Sequence, residues 1–251
     1  MPDSAIFLLP LVGVIAGLLN VAAGGGSALT LPLLIFLGLD GPLANGTNRV
    51  AITVQSGTAI LGFRAQGLRS LKEPLLLALF APPGALLGAY AAVDMSDALF
   101  RKILALVLVF VAASILLKKK DARTNQDSSL SPGKKFALAA SGIFAVGFYG
   151  GFIQVGVGFL LMAVLYRYLG DDLALVNSYK VVIVLVFTAP ALAVFAWHGL
   201  VDWKAGALLA LGNSAGGLLG TRLSVKGGNK AVRLVLALAM TIMALRLTGI
   251  F

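Results

Sequence analysis

Three consecutive glycines interrupt a long apolar stretch near the start of the chain. They belong to the motif Gly24-Gly25-Gly26-Ser27, and the apolar piece before it begins near Ala5. The piece after it, residues 27–38, reaches about 17 Å as a helix, roughly half of a hydrocarbon core. Because glycine is unfavourable inside a helix, the motif predicts a backbone turn or a close approach of backbone to another group. Inside a membrane such a turn must be buried in protein or line an aqueous cavity.

Composition places the whole chain in a membrane. Of its 251 residues 59% are hydrophobic and 12% are charged, with a mean hydropathy of +0.97. Soluble domains are about half apolar and about one quarter charged. Runs of about 18 apolar residues therefore predict an all-α polytopic membrane protein. The first residues, Met1-Pro2-Asp3-Ser4, lack the basic start of a signal peptide, and the absence of cysteine excludes thiolate chemistry.

Ten apolar elements can be drawn, five on each side of a polar, basic linker. The linker covers residues 118–135, which separates an N-terminal membrane repeat, 1–117, from a C-terminal membrane repeat, 136–251. Pro82-Pro83 must disrupt helical hydrogen bonding within the fourth element. The ten predicted elements are 5–22, 27–38, 43–63, 74–93, 98–117, 136–152, 155–169, 173–197, 203–224 and 230–248.

The two halves resemble each other in sequence, which indicates an internal repeat. Residues 132 positions apart match at Phe63 and Phe195, Gly67 and Gly199, Lys72 and Lys204, Gly84 and Gly216, Gly88 and Gly220, and Arg101 and Arg233. A shift of 131 aligns the segment Thr47-Asn48-Arg49 with Ser178-Tyr179-Lys180.

Loop charge predicts that the repeats are inverted. Six Lys or Arg residues between 118 and 135 place the linker in the cytoplasm, and the basic loop 64–72 lies on the same side. In the second half the basic residues move to the following loop, which an odd number of crossings per half explains. Both termini are then outside. An eight-helix arrangement with parallel repeats is the alternative.

The second element of each half is short, so we expect helix pairs 1–2 and 6–7 to be re-entrant or broken, with their Gly-rich turns meeting near mid-membrane. Whether these pairs are full spans stays open.

The charged residues favour an anion as the ligand. The net charge is +10, and all ten Asp and Glu residues fall in predicted loops or helix ends. Cation carriers and proton-coupled carriers usually hold an intramembrane carboxylate. The basic residues are dispersed over loops, which is typical of cytoplasmic retention and argues against nucleic-acid binding.

Two groups of residues could bind such an anion. The first group is the turn Gly24-Gly25-Gly26-Ser27 and its second copy around Gln154 and Gly156, because helix N-termini present free N–H groups and partial positive charge. Close helix packing explains the same glycines equally well. The second group is Thr47, Asn48 and Arg49 with Asn177, Ser178 and Lys180, whose two cations could clamp an anion or could extend to lipid headgroups. Gln55 and Ser56 could bind a ligand or link helices.

No pattern of catalytic residues is found in the sequence. Histidine occurs once, cysteine is absent, and no serine has a base in reach. We therefore expect neither an enzyme nor a protein with a metal or cofactor.

The sequence resembles the sulfite exporter TauE/SafE family of two-repeat membrane permeases. The resemblance lies in Gly24-Gly25-Gly26-Ser27 with Leu31-Pro32, in Thr47-Asn48-Arg49, and in a second copy from Tyr149 to Gly158 followed by Asn177-Ser178-Tyr179-Lys180. It implies a multi-pass transporter of the bacterial inner membrane for sulfite, organosulfonates or related anions, with substrate contacts at the two turns and at the polar positions after them.

A secondary transporter that exports such an anion is therefore the expected function. The bilayer and the anion are its expected partners, and a homodimer stays open. An anion channel, an uptake permease for another small anion, and a membrane-embedded enzyme or accessory subunit are the alternatives.

Overall fold

The computed structural model describes residues 5–68, 72–116, 131–170 and 172–226. Over these ranges the chain forms ten α-helices and no strand. The helices are α1 (Ala5–Ala23), α2 (Ser27–Phe36), α3 (Gly41–Ala65), α4 (Lys72–Ala78), α5 (Ala81–Val93), α6 (Asp97–Leu116), α7 (Pro132–Phe152), α8 (Val157–Leu169), α9 (Leu173–Trp197) and α10 (Trp203–Lys226).

Eight of the ten predicted elements each correspond to one described helix, to within a few residues at each end. The tenth, residues 230–248, lies outside the described residues, as does most of the linker. One element differs from its prediction. Residues 74–93 form two helices, α4 and α5, which are bent by 41° with respect to each other. Pro82 and Pro83 occupy the first turn of α5, where proline is tolerated because those N–H groups have no helical partner.

Length and apolar character identify two described helices, α7 and α9, as long enough to cross a membrane. The bent pair α4–α5 adds a third crossing if it is taken as one span. Three shorter apolar segments, Phe7–Ala23, Ser27–Phe36 and Val157–Leu169, accompany them. Large apolar side chains such as Phe7, Leu106 and Phe110 are exposed on the outside of the helical body, as expected for a surface that faces lipid.

The two longest helices, α3 and α9, run antiparallel through the middle of the molecule. Gly46, near the start of α3, lies against Phe195 near the end of α9. Phe63, near the end of α3, packs in one cluster with Val181 near the start of α9. This central pair supplies most of the buried polar side chains of the described residues.

Helices of opposite halves pack closely through glycine. Gly84 of α5 contacts the backbone carbonyl of Phe144 in α7, and Gly216 of α10 contacts that of Val14 in α1. A side chain at either glycine would overlap with the facing backbone. Gly84 and Gly216 are equivalent in the internal repeat, so the pairs α5–α7 and α1–α10 are corresponding contacts.

Candidate functional site

The two Gly-rich turns lie against each other. Helix α1 ends at Ala23 and α2 begins at Ser27; helix α7 ends at Phe152 and α8 begins at Val157. Between these breaks the backbone of Gly24 touches the backbone of Gly158, and a Cβ on either residue would overlap with the other. The site therefore forms where the broken helix of one half meets the broken helix of the other.

Glycine is required at these turns for a second, conformational reason. Gly24 has φ of +89° and Gly156 has φ of +72°, a region that residues with a Cβ disfavour. Gly26 contributes differently, since a Cβ there would overlap with the carbonyl oxygen of Ala16 in α1. Close packing of the backbone and the turn conformation therefore both explain why glycine occupies these positions.

Arg49 of α3 caps the end of α7. Its two terminal nitrogens donate to the carbonyl oxygens of Gly150 at 3.0 Å and Gly151 at 2.5 Å, and its guanidinium carbon lies 4.7 Å from the centre of the Phe195 ring. The side chain is fully buried. A cation is favoured there because the last carbonyls of a helix lack helical donors and carry partial negative charge.

Lys180 of α9 caps the end of α1 in the same way. Its ammonium donates to the carbonyl oxygens of Asn20 at 3.1 Å and Val21 at 2.8 Å, and to Oδ1 of Asn177 at 2.6 Å. Arg49 and Lys180 are equivalent in the repeat, so each half supplies the cation that caps the first helix of the other half.

Two asparagines complete the caps. Asn45 donates to the carbonyl oxygen of Phe152 at 2.8 Å, and Asn177 donates to that of Ala22 at 3.4 Å. The predicted residues Asn177, Lys180 and Arg49 are thus gathered at the ends of α1 and α7, and most of their donors are engaged with backbone.

Neither buried cation has a carboxylate partner among the described residues. The carboxylate of Asp97 pairs instead with Arg101 within α6, at 2.7 Å. An unpaired charge in a membrane domain is costly, and the negative helix ends of α1 and α7 compensate for only part of it. The interior of this domain therefore favours a negative ligand.

A narrow cavity lies beside the two turns; we call it the Lys180 cavity. In this conformation a solvent molecule can occupy only about 10 Å³ of it, about the space of a single water molecule. Helices α1, α2, α3, α8 and α9 contribute to its wall. Its lining residues are Asn20, Ser27, Ile52, Gln55, Ser56, Gln154, Val157, Gly158, Lys180, Val181 and Val184.

Several polar groups on this wall have hydrogen-bonding capacity to spare. The hydroxyls of Ser27 and Ser56 have no partner within the described ranges, and the side-chain oxygen of Gln55 accepts from Asn20 at 3.3 Å, which leaves the Gln55 amide nitrogen available. Gln154 donates to the Thr188 hydroxyl at 2.8 Å. Among the described residues no carboxylate contributes to the lining.

Two helix N-termini also reach the Lys180 cavity. Ser27 is the first residue of α2, and Val157 and Gly158 are the first residues of α8. Neither helix start has a side-chain cap; the residue before α2 is Gly26, so Ser27 does not serve as the N-cap. The N–H groups of Ala28, Leu29 and Phe159 already bond to turn carbonyls, so the first N–H group of each helix and the positive ends of the two helices are what favours negative charge in the cavity.

Other predicted residues lie away from this cavity. The Thr47 hydroxyl accepts from the backbone N–H of Asp202 at 2.9 Å, the Asn48 oxygen accepts from Thr30 at 2.6 Å, and the Ser178 hydroxyl donates to the carbonyl of Leu175 at 2.7 Å. The four predicted glycines, Gly24, Gly25, Gly26 and Gly156, belong to the turns without lining the cavity. Direct binding of substrate by these residues stays a prediction.

Asn20 is the lining residue that the sequence reasoning missed. It is a polar residue in an apolar helix, one turn before the Gly motif, and intramembrane polar residues tend to be functional. That signal could have identified it. Among the described residues no group of three or more His, Asp or Glu side chains could hold a metal ion.

Comparison with known proteins gives the family. The model of the sulfite exporter TauE/SafE family matches residues 9–247. The "Probable membrane transporter protein ORF9" of Sinorhizobium sp is 30% identical over 98% of this chain and 95% of its own length. The "Probable membrane transporter protein YfcA" of Escherichia coli K12 is 26% identical over 94% of this chain and 87% of its own length. The "Probable membrane transporter protein YunE" of Bacillus subtilis is 24% identical over 97% of this chain and 98% of its own length. No solved structure matches. The predicted resemblance is confirmed, and the chain belongs to the sulfite exporter TauE/SafE family of membrane transporters.

Proposed function

We propose that this protein is a secondary transporter that exports a small sulfur-containing anion, such as sulfite or a small organosulfonate, across a bacterial inner membrane. Family membership supports membrane transport. The choice of an anion rests on the cavity, and the choice of a sulfur compound rests on the family description.

The lining of the Lys180 cavity is the observation that carries the proposal. It combines a buried ammonium, the N-terminal ends of α2 and α8, two free hydroxyls and an amide, and no carboxylate from the part of the chain that the structure describes. Because the three ammonium hydrogens of Lys180 have acceptors already, its contribution is charge. Hydrogen bonds to the anion then come from Ser27, Ser56 and Gln55.

Cavity size favours a compact substrate. The cavity offers about 10 Å³ in this conformation, so even a small oxyanion must push the wall outward to bind, and a bulky organic anion would need a far larger rearrangement. A cavity that must widen to admit its substrate also suits a carrier, which changes conformation during transport, better than an open channel.

Export follows from the membrane potential. With a negative cell interior, each monovalent anion that leaves gains about 2.3 kcal/mol per 100 mV. Such a step needs no coupling cation. Uptake against this potential would need one.

The internal repeat supports an inverted arrangement with both termini outside and the basic linker in the cytoplasm. Reporter tags at positions 1, 125 and 251 test this topology. We expect the tag at 125 on the opposite side from the other two, and termini on the linker side would contradict the inverted arrangement.

A thermal-shift screen tests the anion site directly. Purified protein is titrated with sulfite, sulfate, thiosulfate and small sulfonates, because a ligand that binds the folded form stabilises it by about 2.7 kcal/mol at 100 times its Kd. We expect sulfite or a sulfonate to raise Tm. The variant Ser56→Ala should weaken the shift, whereas Ser141→Ala, which removes an exposed hydroxyl bonded within α7, should not. No shift with any of these anions would contradict the proposal.

A further inference from the structure

Five buried polar atoms outside the Lys180 cavity have no hydrogen-bond partner among the described residues; two belong to Asn213 and Ser214, and the other three lie near one another in α3. These three are Nε of Arg49, Nδ2 of Asn48 and Oδ1 of Asn45, which lie within five residues of α3. All three side chains are 0% exposed. Spacings of three and four residues place Asn45 on the same helix face as the other two.

The hydrogen bonds of these three side chains all lie near the start of α3. Arg49 and Asn45 both donate to the end of α7, through Gly150, Gly151 and Phe152. Asn48 accepts from Thr30 of α2. The unpartnered atoms therefore belong to the junction of α3 with α2 and the end of α7.

Leaving these atoms unpaired is energetically unfavourable. An unsatisfied buried donor costs about 1–3 kcal/mol, and more when the group is charged. Arg49 adds a full charge with no carboxylate partner. A water molecule could pair the donors, but it would leave that charge uncompensated, whereas an anion would satisfy both.

The internal repeat points to the same conclusion. Arg49 is the equivalent of Lys180, and both cap the first helix of the opposite half. Lys180 has a cavity beside it but no free N–H. Arg49 has a free N–H but no open cavity beside it in this conformation.

We infer that Arg49 and Asn48 form a second anion site, with the anion accepting hydrogen bonds from Nε of Arg49 and Nδ2 of Asn48. This inference rests on the proposed function, because the ligand is the same class of small oxyanion. The two sites, one in each half, are successive positions of the anion on its way across the protein.

Anomalous diffraction from selenite tests this inference, since selenite has the shape and charge of sulfite and its selenium can be located. Crystals of the full chain are soaked in selenite. We expect two selenium positions, one in the Lys180 cavity and one within hydrogen-bond distance of Arg49 Nε. Selenite in the Lys180 cavity alone would overturn the second site and leave the proposed function standing. Selenite at neither place would overturn both.

A matched pair of variants separates the two sites in solution. Asn48→Asp keeps an acceptor for Thr30 and replaces the donor of the second site with a negative charge, so the second anion is excluded. Calorimetric titration with sulfite should give two anions per chain in the wild type and one in Asn48→Asp, with at least a tenfold loss of affinity at the second site. In Lys180→Met the anion beside Arg49 should be the one that remains. A stoichiometry of one in the wild type would contradict the inference.

Discussion

Arg49 and Lys180 occupy equivalent positions in the two halves, and each one binds the last carbonyls of the first helix of the other half. Arg49 reaches Gly150 and Gly151, and Lys180 reaches Asn20 and Val21. The reciprocal arrangement ties together the two broken helices whose turns touch at Gly24 and Gly158. The cations thus have a structural task in addition to the charge that they supply to an anion.

Arg49→Lys should destabilise the protein although it conserves the charge. A lysine ammonium cannot reproduce the planar fork that bridges two successive carbonyls, so at least one charge-assisted hydrogen bond of about 1.5–3 kcal/mol is lost. Thermal unfolding in detergent measures the effect. The exposed Arg64→Lys, at the end of α3, is the control and should leave Tm unchanged. An unchanged Tm in Arg49→Lys would show that the cap is unimportant.

Gly158→Ala should disrupt the contact between the two turns. The added Cβ would overlap with Gly24, and backbone on both sides must shift, at a cost of about 1–3 kcal/mol. We expect a lower Tm and impaired transport. Gly57→Ala is the matched control, because Gly57 lies inside α3 with nothing within 4 Å of its missing side chain. Replacing that glycine should raise stability by up to about 1 kcal/mol. Equal effects of the two substitutions would contradict the described contact.

Sequence reasoning predicted the helices well because apolar runs and their interruptions are local properties. The breaks at Gly24–Gly26 and after Phe152 could be located from glycine alone. The break between α4 and α5 was not drawn, although Pro82-Pro83 signalled a disruption. Whether a proline pair bends one helix or begins a new one depends on what packs around it.

The site was only partly predictable for the same reason. Ser27, Gln154 and Lys180 were predicted from motifs, and all three line one cavity. The backbone carbonyls that Arg49 and Lys180 bind could not be predicted, since they lie about 100 or more positions away in the other half. Only the tertiary packing shows that these cations face helix ends.

Equivalent glycines should respond equally to substitution. Gly84→Ala in α5 and Gly216→Ala in α10 each place a methyl group against a facing carbonyl, of Phe144 and Val14 respectively. We expect each to lower stability by about 1–3 kcal/mol. Gly133→Ala, with open space around it, should have little effect. A large effect at only one of the two interface glycines would argue that the corresponding contacts are not equivalent.

Membrane potential should control the direction of transport. In proteoliposomes loaded with sulfite, a potassium diffusion potential that makes the interior negative should accelerate efflux, because each monovalent charge gains about 2.3 kcal/mol per 100 mV. A potential of the opposite sign should slow it. A rate of efflux that does not change with the potential would indicate electroneutral transport, which would contradict uncoupled anion export.

Sulfite counterflow in proteoliposomes with wild-type protein and Lys180→Met tests the central claim most directly. Methionine retains the length of the side chain, removes the charge from the cavity and lies next to the compatible sulfur of Met162. We predict saturable counterflow for the wild type and at least a tenfold loss for Lys180→Met at equal amounts of folded protein, with wild-type rates for Ser141→Ala. Wild-type counterflow in Lys180→Met would contradict the account of this cavity as the place where the anion binds.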